Sequence, residues 1–299
     1  MRRALLVLFV MCLISIFVLS YPITLVDDLG RAVTFEKEPQ RVVSAAPVAT
    51  DYLLKLDLSN KIVGVTSFDS YKEAENIGNL VPINIEKILT LKPDVVFTFG
   101  GFQAGEVEKL EKAGLKVFAI NPRTMDDIFR TLINIGIIFN KSEQAKKLSR
   151  NLKSKMLGVA KKAYNVPIDK RPRVFFASIY QGTNEIWTCG QGSFLNEVIS
   201  LAGGVNITGN YTGPNGWLTI GMEFVVSENP DVILTPYYYE GGQEEAIKAV
   251  KSIKLWSNLK AIKNNKIIPV DGNIVSSPDT RLVDLIVKLY KIFYSGGDK

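Results

Sequence analysis

The sequence alternates short, continuously apolar runs with amphipathic segments, and this alternation restricts the chain to few folds. Runs of continuous Val, Ile and Phe character indicate strands that are buried on both faces of a parallel sheet. Strands that alternate with helices predict an α/β layer fold. Seven runs have this character: residues 41–44, 61–65, 94–98, 116–120, 173–177, 231–234 and 266–270.

The intervening segments carry apolar residues at helical spacing. Gly114 follows one of these segments as a helix stop, and Ser277-Pro278 is expected to open the last helix as its cap and first residue. We predict helices over residues 50–56, 85–91, 104–113, 194–201, 243–250, 256–263 and 279–294.

Residues 84–96 and 221–233 repeat one pattern. Each copy places a glutamate in a short helix, then a Pro-Asp turn and a buried strand, all at the same spacing. Two lobes of similar build are the simplest interpretation.

The two halves are joined without a Gly/Ser-rich linker. Residues 124–127 form a capping box, and a lysine-rich helical run follows from residue 142 to about residue 164. A helix is a stiff spacer. We therefore predict an N-terminal lobe at 21–140, a connecting helix at 141–168 and a C-terminal lobe at 169–299.

No aromatic platform accompanies the lysines of the connecting helix, so we expect a solvated face and no nucleic-acid partner.

The first twenty residues have a secretory signal pattern, with two arginines before an apolar run that ends at Ser20. We predict a signal peptide at 1–20 and a periplasmic or extracytoplasmic location. An uncleaved membrane anchor is the alternative, whereas Met11 before Cys12 does not suit lipid attachment. Removal of two arginines would lower the formal charge from +6 to +4.

The chain contains no histidine. This excludes a Ser-His-Asp triad, a Cys-His pair and an HExxH zinc site. The sequence also lacks a Walker A loop and a GxGxxG after a strand, so an α/β enzyme is the disfavoured alternative and no catalytic residue is predicted. Cys189 has no second mature cysteine and no histidine to activate it, and is expected to be a small buried residue.

The loops expected at the carboxyl ends of the strands are unusually aromatic. In open parallel sheets, ligands bind outside those ends. Three consecutive tyrosines are also hard to bury with their hydroxyls satisfied. The aromatic residues of these loops are Phe68, Tyr71, Phe99, Phe102, Tyr180, Trp187, Tyr211, Trp217, Tyr237, Tyr238 and Tyr239.

An ordered set of short motifs resembles one family. The set comprises residues 26–31, 41–44, the Leu-Lys-Pro-Asp-Val-Val run, residues 193–204, Asp271-Gly272 and residues 278–281. The chain resembles the periplasmic solute-binding proteins of the cobalamin and iron-siderophore ABC importer class, the helical-backbone type. The resemblance implies two Rossmann-like lobes joined by one long helix, a ligand cleft between them and delivery to a permease dimer in the membrane.

The resemblance also implies roles for particular residues. Phe68, Trp187 and Trp217 match aromatic ligand contacts in cobalamin-binding relatives. Two glutamates match the family's permease-docking positions, although each could simply favour a helix N-terminus. Arg123 and Arg281 could pair with ligand charge or form surface pairs. The predicted ligand-binding set is Phe68, Phe102, Arg123, Trp187, Trp217, Tyr237, Tyr238, Tyr239 and Arg281, and the predicted docking pair is Glu86 and Glu223.

We therefore predict a monomeric binding protein that captures a metal chelate and has no intrinsic cofactor and no metal site of its own. Abundant aromatic residues suit a large flat or semi-apolar ligand, including a corrinoid, and sparse cleft arginines weigh against a highly anionic siderophore. The family that the chain resembles nevertheless contains more iron-chelate binders. An iron siderophore comes first, cobalamin a close second and haem third. Bare ferric ion, held by tyrosine and carboxylate oxygens of residues 237–240, is a further alternative.

Overall fold

The computed structural model describes residues 21–179 and 185–294. The predicted signal peptide, residues 1–20, lies outside the described residues. Within the described ranges, no helix combines the length and apolar character needed to cross a membrane.

The described strands, numbered in chain order, include all seven that the sequence predicts. They are β1 (Ile23–Val26), β2 (Ala32–Phe35), β3 (Val42–Ser44), β4 (Ile62–Val65), β5 (Glu75–Asn76), β6 (Val95–Phe99), β7 (Val117–Ile120), β8 (Arg173–Phe176), β9 (Ser178–Ile179), β10 (Glu185–Cys189), β11 (Val205–Asn206), β12 (Trp217–Gly221), β13 (Val232–Tyr237) and β14 (Ile267–Asp271).

The described α-helices lie between and after these strands. They are α1 (Pro47–Lys55), α2 (Ile85–Thr90), α3 (Ala104–Lys112), α4 (Met125–Ile138), α5 (Ser142–Tyr164), α6 (Phe194–Leu201), α7 (Met222–Glu228), α8 (Gln243–Lys251), α9 (Lys260–Lys263), α10 (Gly272–Val275) and α11 (Leu282–Tyr294).

Two parallel sheets form the centres of the two lobes. The N-terminal sheet has the strand order β5-β4-β3-β6-β7, and the C-terminal sheet has the order β11-β8-β13-β14. The central strands β3, β6 and β13 are buried except at the carboxyl ends of β6 and β13, where Phe99, Pro236 and Tyr237 are partly exposed. The predicted α/β fold with two parallel sheets is confirmed.

The sequence analysis does not predict five short strands, all of which belong to antiparallel sheets. β1 and β2 form a hairpin at the start of the described chain, and β12, β10 and β9 form a three-stranded sheet. In β10 the buried side chains alternate with more exposed ones, since Ile186 and Thr188 are fully buried and Trp187 is half-buried. The segments around Trp187 and Trp217, expected to be loops, are therefore strands of this sheet.

Two predicted helices differ in the structure. Residues 256–263 are not one helix, because a 3₁₀ turn at Lys254–Trp256 is followed by the separate short helix α9. The last helix begins at Leu282 and not after Ser277-Pro278. The carboxylate of Asp279 accepts a hydrogen bond from the backbone N–H of Arg281 at 2.9 Å, which holds residues 279–281 in a turn.

The two longest described helices are α4 and α5, and α5 lies in the segment predicted to connect the lobes. Thr124 and Asp127 form the predicted capping box at the start of α4. One continuous hydrophobic cluster contains side chains of α1, α4, α6 and α11, and so draws on both lobes. Across the same junction, the Tyr52 hydroxyl donates to the carbonyl of Pro278 at 3.1 Å. The lobes are therefore joined by packing as well as by α5.

Candidate functional site

A cavity of about 280 Å³ opens between the two lobes. Part of its wall comes from residues at or just after the carboxyl ends of parallel strands, including Phe99 at the end of β6 and Phe176 at the end of β8. This is where an open parallel sheet is expected to bind a ligand. The lining residues are Phe99, Phe102, Asn121, Pro122, Arg123, Phe176, Ser178, Trp187, Gly192, Phe194, Asn215, Trp217, Tyr238, Ser276 and Pro278.

The wall from the C-terminal lobe is built on a pair of indole rings. Trp187 on β10 and Trp217 on β12 lie parallel within 4°, with ring centroids 6.2 Å apart. Phe176 and Phe194 meet Trp217 edge-on at centroid distances of 6.0 and 5.8 Å. This aromatic cluster is fixed by packing from behind and leaves ring surface available to a ligand.

The N-terminal lobe contributes a second aromatic surface. Phe99 and Phe102 have ring centroids 5.4 Å apart. Phe102 is 61% exposed, although it is a large apolar side chain. An exposed ring at the mouth of a cavity costs the free protein stability, which ligand contact would recover.

The polar groups of the cavity are mostly neutral. Asn121, Asn215 and Ser178 line it, and the Tyr238 hydroxyl lies 3.4 Å from the Ser276 hydroxyl. These groups can donate and accept hydrogen bonds without adding charge.

Arg123 is the one lysine or arginine among the lining residues. It is exposed, and within the described part of the chain its guanidinium has no hydrogen-bond or ion-pair partner. The described cavity wall therefore consists of apolar side chains and neutral hydrogen-bonding side chains, and Arg123 adds one positive charge without a protein partner.

The structure brings five of the nine predicted ligand-binding residues into the cavity wall: Phe102, Arg123, Trp187, Trp217 and Tyr238. Phe68 and Tyr237 are not lining residues. Tyr239 is also outside the wall, and its hydroxyl donates to Glu245 on α8. Only the middle tyrosine of the three therefore faces the cavity.

Arg281 lies behind the cavity and not in its wall. Its guanidinium donates to both carboxylate oxygens of Asp279, with the shortest contact at 2.5 Å, and lies 3.8 Å from Asp51. Asp51 also accepts a hydrogen bond from the Thr280 hydroxyl at 2.7 Å. Burial raises the pKa of Asp279 to about 6, partly opposed by the bonds from Arg281. The guanidinium is thus engaged by protein carboxylates and is not among the residues that line the cavity.

Sequence reasoning missed several lining residues. Phe176 and Phe194 were assigned to a buried strand and a helix start, and a ring at a strand end looks like core in a sequence. Pro278 lay in a predicted helix. The available signal was position, because Phe176 is the last residue of a parallel strand, and ligands bind outside the carboxyl ends of such strands.

The predicted bare ferric site would use tyrosine and carboxylate oxygens of residues 237–240, of which only Tyr238 lines the cavity. Within residues 21–179 and 185–294, no three or more acids, cysteines or histidines cluster in a way that could hold a metal ion. Cys189 is buried, as predicted, and burial raises the pKa of its thiol to about 12.

Comparison with known proteins decides the family. Residues 42–273 match the periplasmic binding protein family model. The chain belongs to the periplasmic binding protein family. It is therefore a substrate-binding protein of an ABC importer, and the predicted binding role, in preference to an enzyme, is confirmed.

Individual relatives extend over most of this periplasmic binding protein. It is 29% identical over 282 residues to an uncharacterized ABC transporter substrate-binding lipoprotein, YvrC, of Bacillus subtilis, covering 92% of this chain and 86% of the relative. It is 28% identical over 254 residues to a vitamin B12-binding protein of Vibrio cholerae, covering 83% and 86%. The crystal structure of the periplasmic vitamin B12 binding protein BtuF of Vibrio cholerae matches with a TM-score of 0.70 and 26% identity, covering 88% of this chain and 99% of that one.

The two predicted docking glutamates of this family member occupy equivalent places in the two lobes. Glu86 lies in the first turn of α2 and Glu223 in the first turn of α7. Both side chains are exposed, and neither has a hydrogen-bond or ion-pair partner among the residues described.

The helices that carry these glutamates are held in the same way. Arg41, before β3, donates through its guanidinium to the carbonyl of Leu91 at 2.7 and 2.9 Å. Arg173, at the start of β8, donates to the carbonyl of Glu228 at 3.2 and 3.3 Å. Leu91 and Glu228 are equivalent positions of the sequence repeat. The repeat is therefore structural, and it fixes the two glutamates by matching contacts.

Proposed function

We propose that this protein captures a corrinoid of the cobalamin type outside the cytoplasmic membrane and delivers it to the permease of its importer. The observation that carries the proposal is the cavity between the lobes, which is walled by aromatic rings, neutral hydrogen-bonding groups and, among the described residues, one cation without a protein partner. A corrin ring is large, flat and edged by neutral amides, and cobalamin carries one phosphodiester. Asn121 and Asn215 suit amides, and Arg123 suits a single phosphate.

We place cobalamin ahead of an iron siderophore, which is the reverse of the order that the sequence favours. A ferric catecholate siderophore carries several negative charges, and pairing them would need several cations at the cavity. Arg281, the second predicted cation, is engaged by Asp279 and Asp51. The name of the Vibrio cholerae relative, a vitamin B12-binding protein, supports the same order.

Haem is the second candidate, and Tyr238 favours it. A tyrosine oxygen is one of the axial ligands that proteins supply to haem iron, and the Tyr238 side chain lines the cavity. Arg123 could pair with a propionate. Bare ferric ion is less well supported, because Tyr237 and Tyr239 lie outside the cavity wall.

A chelate titration tests the ligand proposal. Two of the three tryptophans, Trp187 and Trp217, line the cavity, whereas Trp256 is buried in the C-terminal lobe. We expect cyanocobalamin to change the tryptophan emission saturably, with haemin, a ferric hydroxamate and a ferric catecholate as the panel. The Trp187→Phe/Trp217→Phe variant keeps only Trp256 and provides the control for optical artefacts. Lack of any saturable change with all four chelates, confirmed by calorimetry, would contradict the proposal.

We further propose that Glu86 and Glu223 dock the protein to the two subunits of a permease dimer. Two exposed, unpartnered carboxylates held by matching contacts can engage two equivalent cations at once. We expect Glu86→Ala/Glu223→Ala to bind the chelate normally and to abolish its import. The matched control is Glu108→Ala/Glu244→Ala, which removes one exposed glutamate from each lobe. Normal uptake by the first variant would remove the docking role.

A further inference from the structure

We infer that each lobe docks through a pair of side chains, an acid and an aliphatic residue, so that Glu86 acts with Leu89 and Glu223 acts with Val226. The partner would be a permease dimer whose two equivalent subunits each present a cation beside an apolar surface. The inference rests on the proposed docking role of the two glutamates and adds an apolar component to it.

The first observation is exposure. Leu89 is 43% exposed and Val226 is 38% exposed, whereas the preceding residues, Ile88 and Val225, are fully buried. Ile88 and Val225 anchor the helices to the lobe cores. Leu89 and Val226 are therefore not needed for that anchoring and leave apolar surface in water.

The second observation is position. Leu89 follows Glu86 by three residues on α2, and Val226 follows Glu223 by three residues on α7. Residues three apart on a helix are neighbours on its surface. Each lobe thus presents one carboxylate beside one aliphatic side chain.

The third observation is equivalence, since Leu89 and Val226 occupy the same place in the sequence repeat. The residues that follow them also match. The Thr90 hydroxyl donates to the carbonyl three residues earlier at 2.7 Å, and the Ser227 hydroxyl does the same at 2.8 Å. The chain then turns through a left-handed residue in both copies, Lys92 with φ 46° and Asn229 with φ 45°. The two acid–aliphatic pairs are therefore displayed by the same local backbone.

A partner with two equivalent subunits fits this duplication better than a second copy of the chain does. Two copies meeting through this face would bring carboxylates against carboxylates, and like charges across an interface cost several kcal/mol. A partner with a cation and an apolar surface in each subunit complements both members of each pair.

The two members of each pair should affect docking differently. Exposed charge mainly sets the association rate and its salt dependence, whereas burial of apolar surface mainly slows dissociation. The test uses the importer's permease dimer with its ATPase in lipid nanodiscs, with empty nanodiscs as the blank. We expect Leu89→Ser/Val226→Ser to dissociate about tenfold faster with an unchanged salt dependence of association.

Two comparisons isolate the apolar contribution. Leu157→Ser/Leu255→Ser removes two aliphatic side chains of similar exposure elsewhere and should behave as wild type. In the Glu86→Ala/Glu223→Ala variant, the rate of association with the permease should no longer depend on salt concentration. If only the glutamate variant weakens docking, the inference is overturned and the docking proposal stands. If neither variant weakens it, the docking proposal itself fails. If the Leu89→Ser/Val226→Ser change alters only self-association in sedimentation, the face is a contact between copies and the inference is overturned.

Discussion

Phe102 is an exposed aromatic residue in the wall of the proposed ligand cavity, and we expect its ring to contact the ligand. It is 61% exposed at the cavity wall, packed on one side against Phe99. Phe68 on the same lobe is 60% exposed but is not a lining residue. The two phenylalanines therefore differ in position and hardly at all in exposure, which makes them a matched pair.

We expect Phe102→Ala to weaken chelate binding by about 1–2 kcal/mol, since truncation of an aromatic contact in a ligand site costs this order of free energy. Phe68→Ala should bind as wild type, although the sequence had placed Phe68 in the ligand set. Both changes remove exposed side chains and should leave the melting temperature within a few degrees. Calorimetric titration with cyanocobalamin gives the affinities, and equal losses in the two variants would contradict the placement of the site.

Cys189 provides a prediction from pKa. Burial raises the pKa of its thiol to about 12, so at pH 8 only about one thiol in ten thousand is ionised. Because the thiolate is the reactive form, we expect Cys189 to resist iodoacetamide in the native protein and to react fully in urea. Mass spectrometry of the peptide that contains residue 189 measures this. Complete native labelling within minutes at pH 8 would contradict the burial.

At the scale of elements, the turn before α11 joins the cavity to the contact between the lobes. Pro278 lines the cavity and accepts the hydrogen bond from Tyr52 on α1. Arg281, three residues later, balances the buried carboxylates of Asp279 and Asp51.

We expect Arg281→Gln to lower the free energy of unfolding by about 3 kcal/mol at pH 7, because the buried carboxylate of Asp279 and the largely buried carboxylate of Asp51 would lose their cation. The loss should be smaller at pH 5. Burial already raises the pKa of Asp279 to about 6 with Arg281 present, so in the variant this group takes up a proton as the pH falls and its buried charge disappears. Urea unfolding at both pH values measures the difference.

The matched control is Arg130→Gln. Arg130 is exposed and pairs with Asp28 and Asp127, so its loss should cost less than about 1 kcal/mol. A cost for Arg281→Gln that is as small as this, or that grows towards pH 5, would contradict the assigned role of the ion pair.

The strands and helices differ in how well the sequence predicts them. The buried strands β3, β6, β8 and β13 were predictable because each has a short core of consecutive Val, Ile, Leu or Phe residues, which favours a strand buried on both faces. The start of α11 was not predictable. The carboxylate of Asp279 accepts a hydrogen bond from the backbone N–H of Arg281, and the local sequence gives no reason to prefer this bond over the predicted cap at Ser277. β10 was missed because five residues with a tryptophan at the centre give too short an alternation.

At the scale of the molecule, the duplication was readable in the sequence and the cavity was not. The repeat of Glu86 and Glu223 could be aligned by spacing alone. Which aromatic side chains face the cavity depends on strand ends from two lobes that meet only in three dimensions. Five of the nine predicted residues lie in the wall, and the engagement of Arg281 by Asp279 was hidden from sequence because it depends on burial.

The whole-molecule account holds that a chelate binds between the lobes against the rings of Trp187, Trp217 and Phe102. A crystal structure of the protein with bound cyanocobalamin tests this most directly. The account predicts the corrin in the cleft, in contact with these three rings and with Arg123 near the phosphate. A corrin bound on the outer surface of either lobe, with the cleft free of ligand, would contradict it.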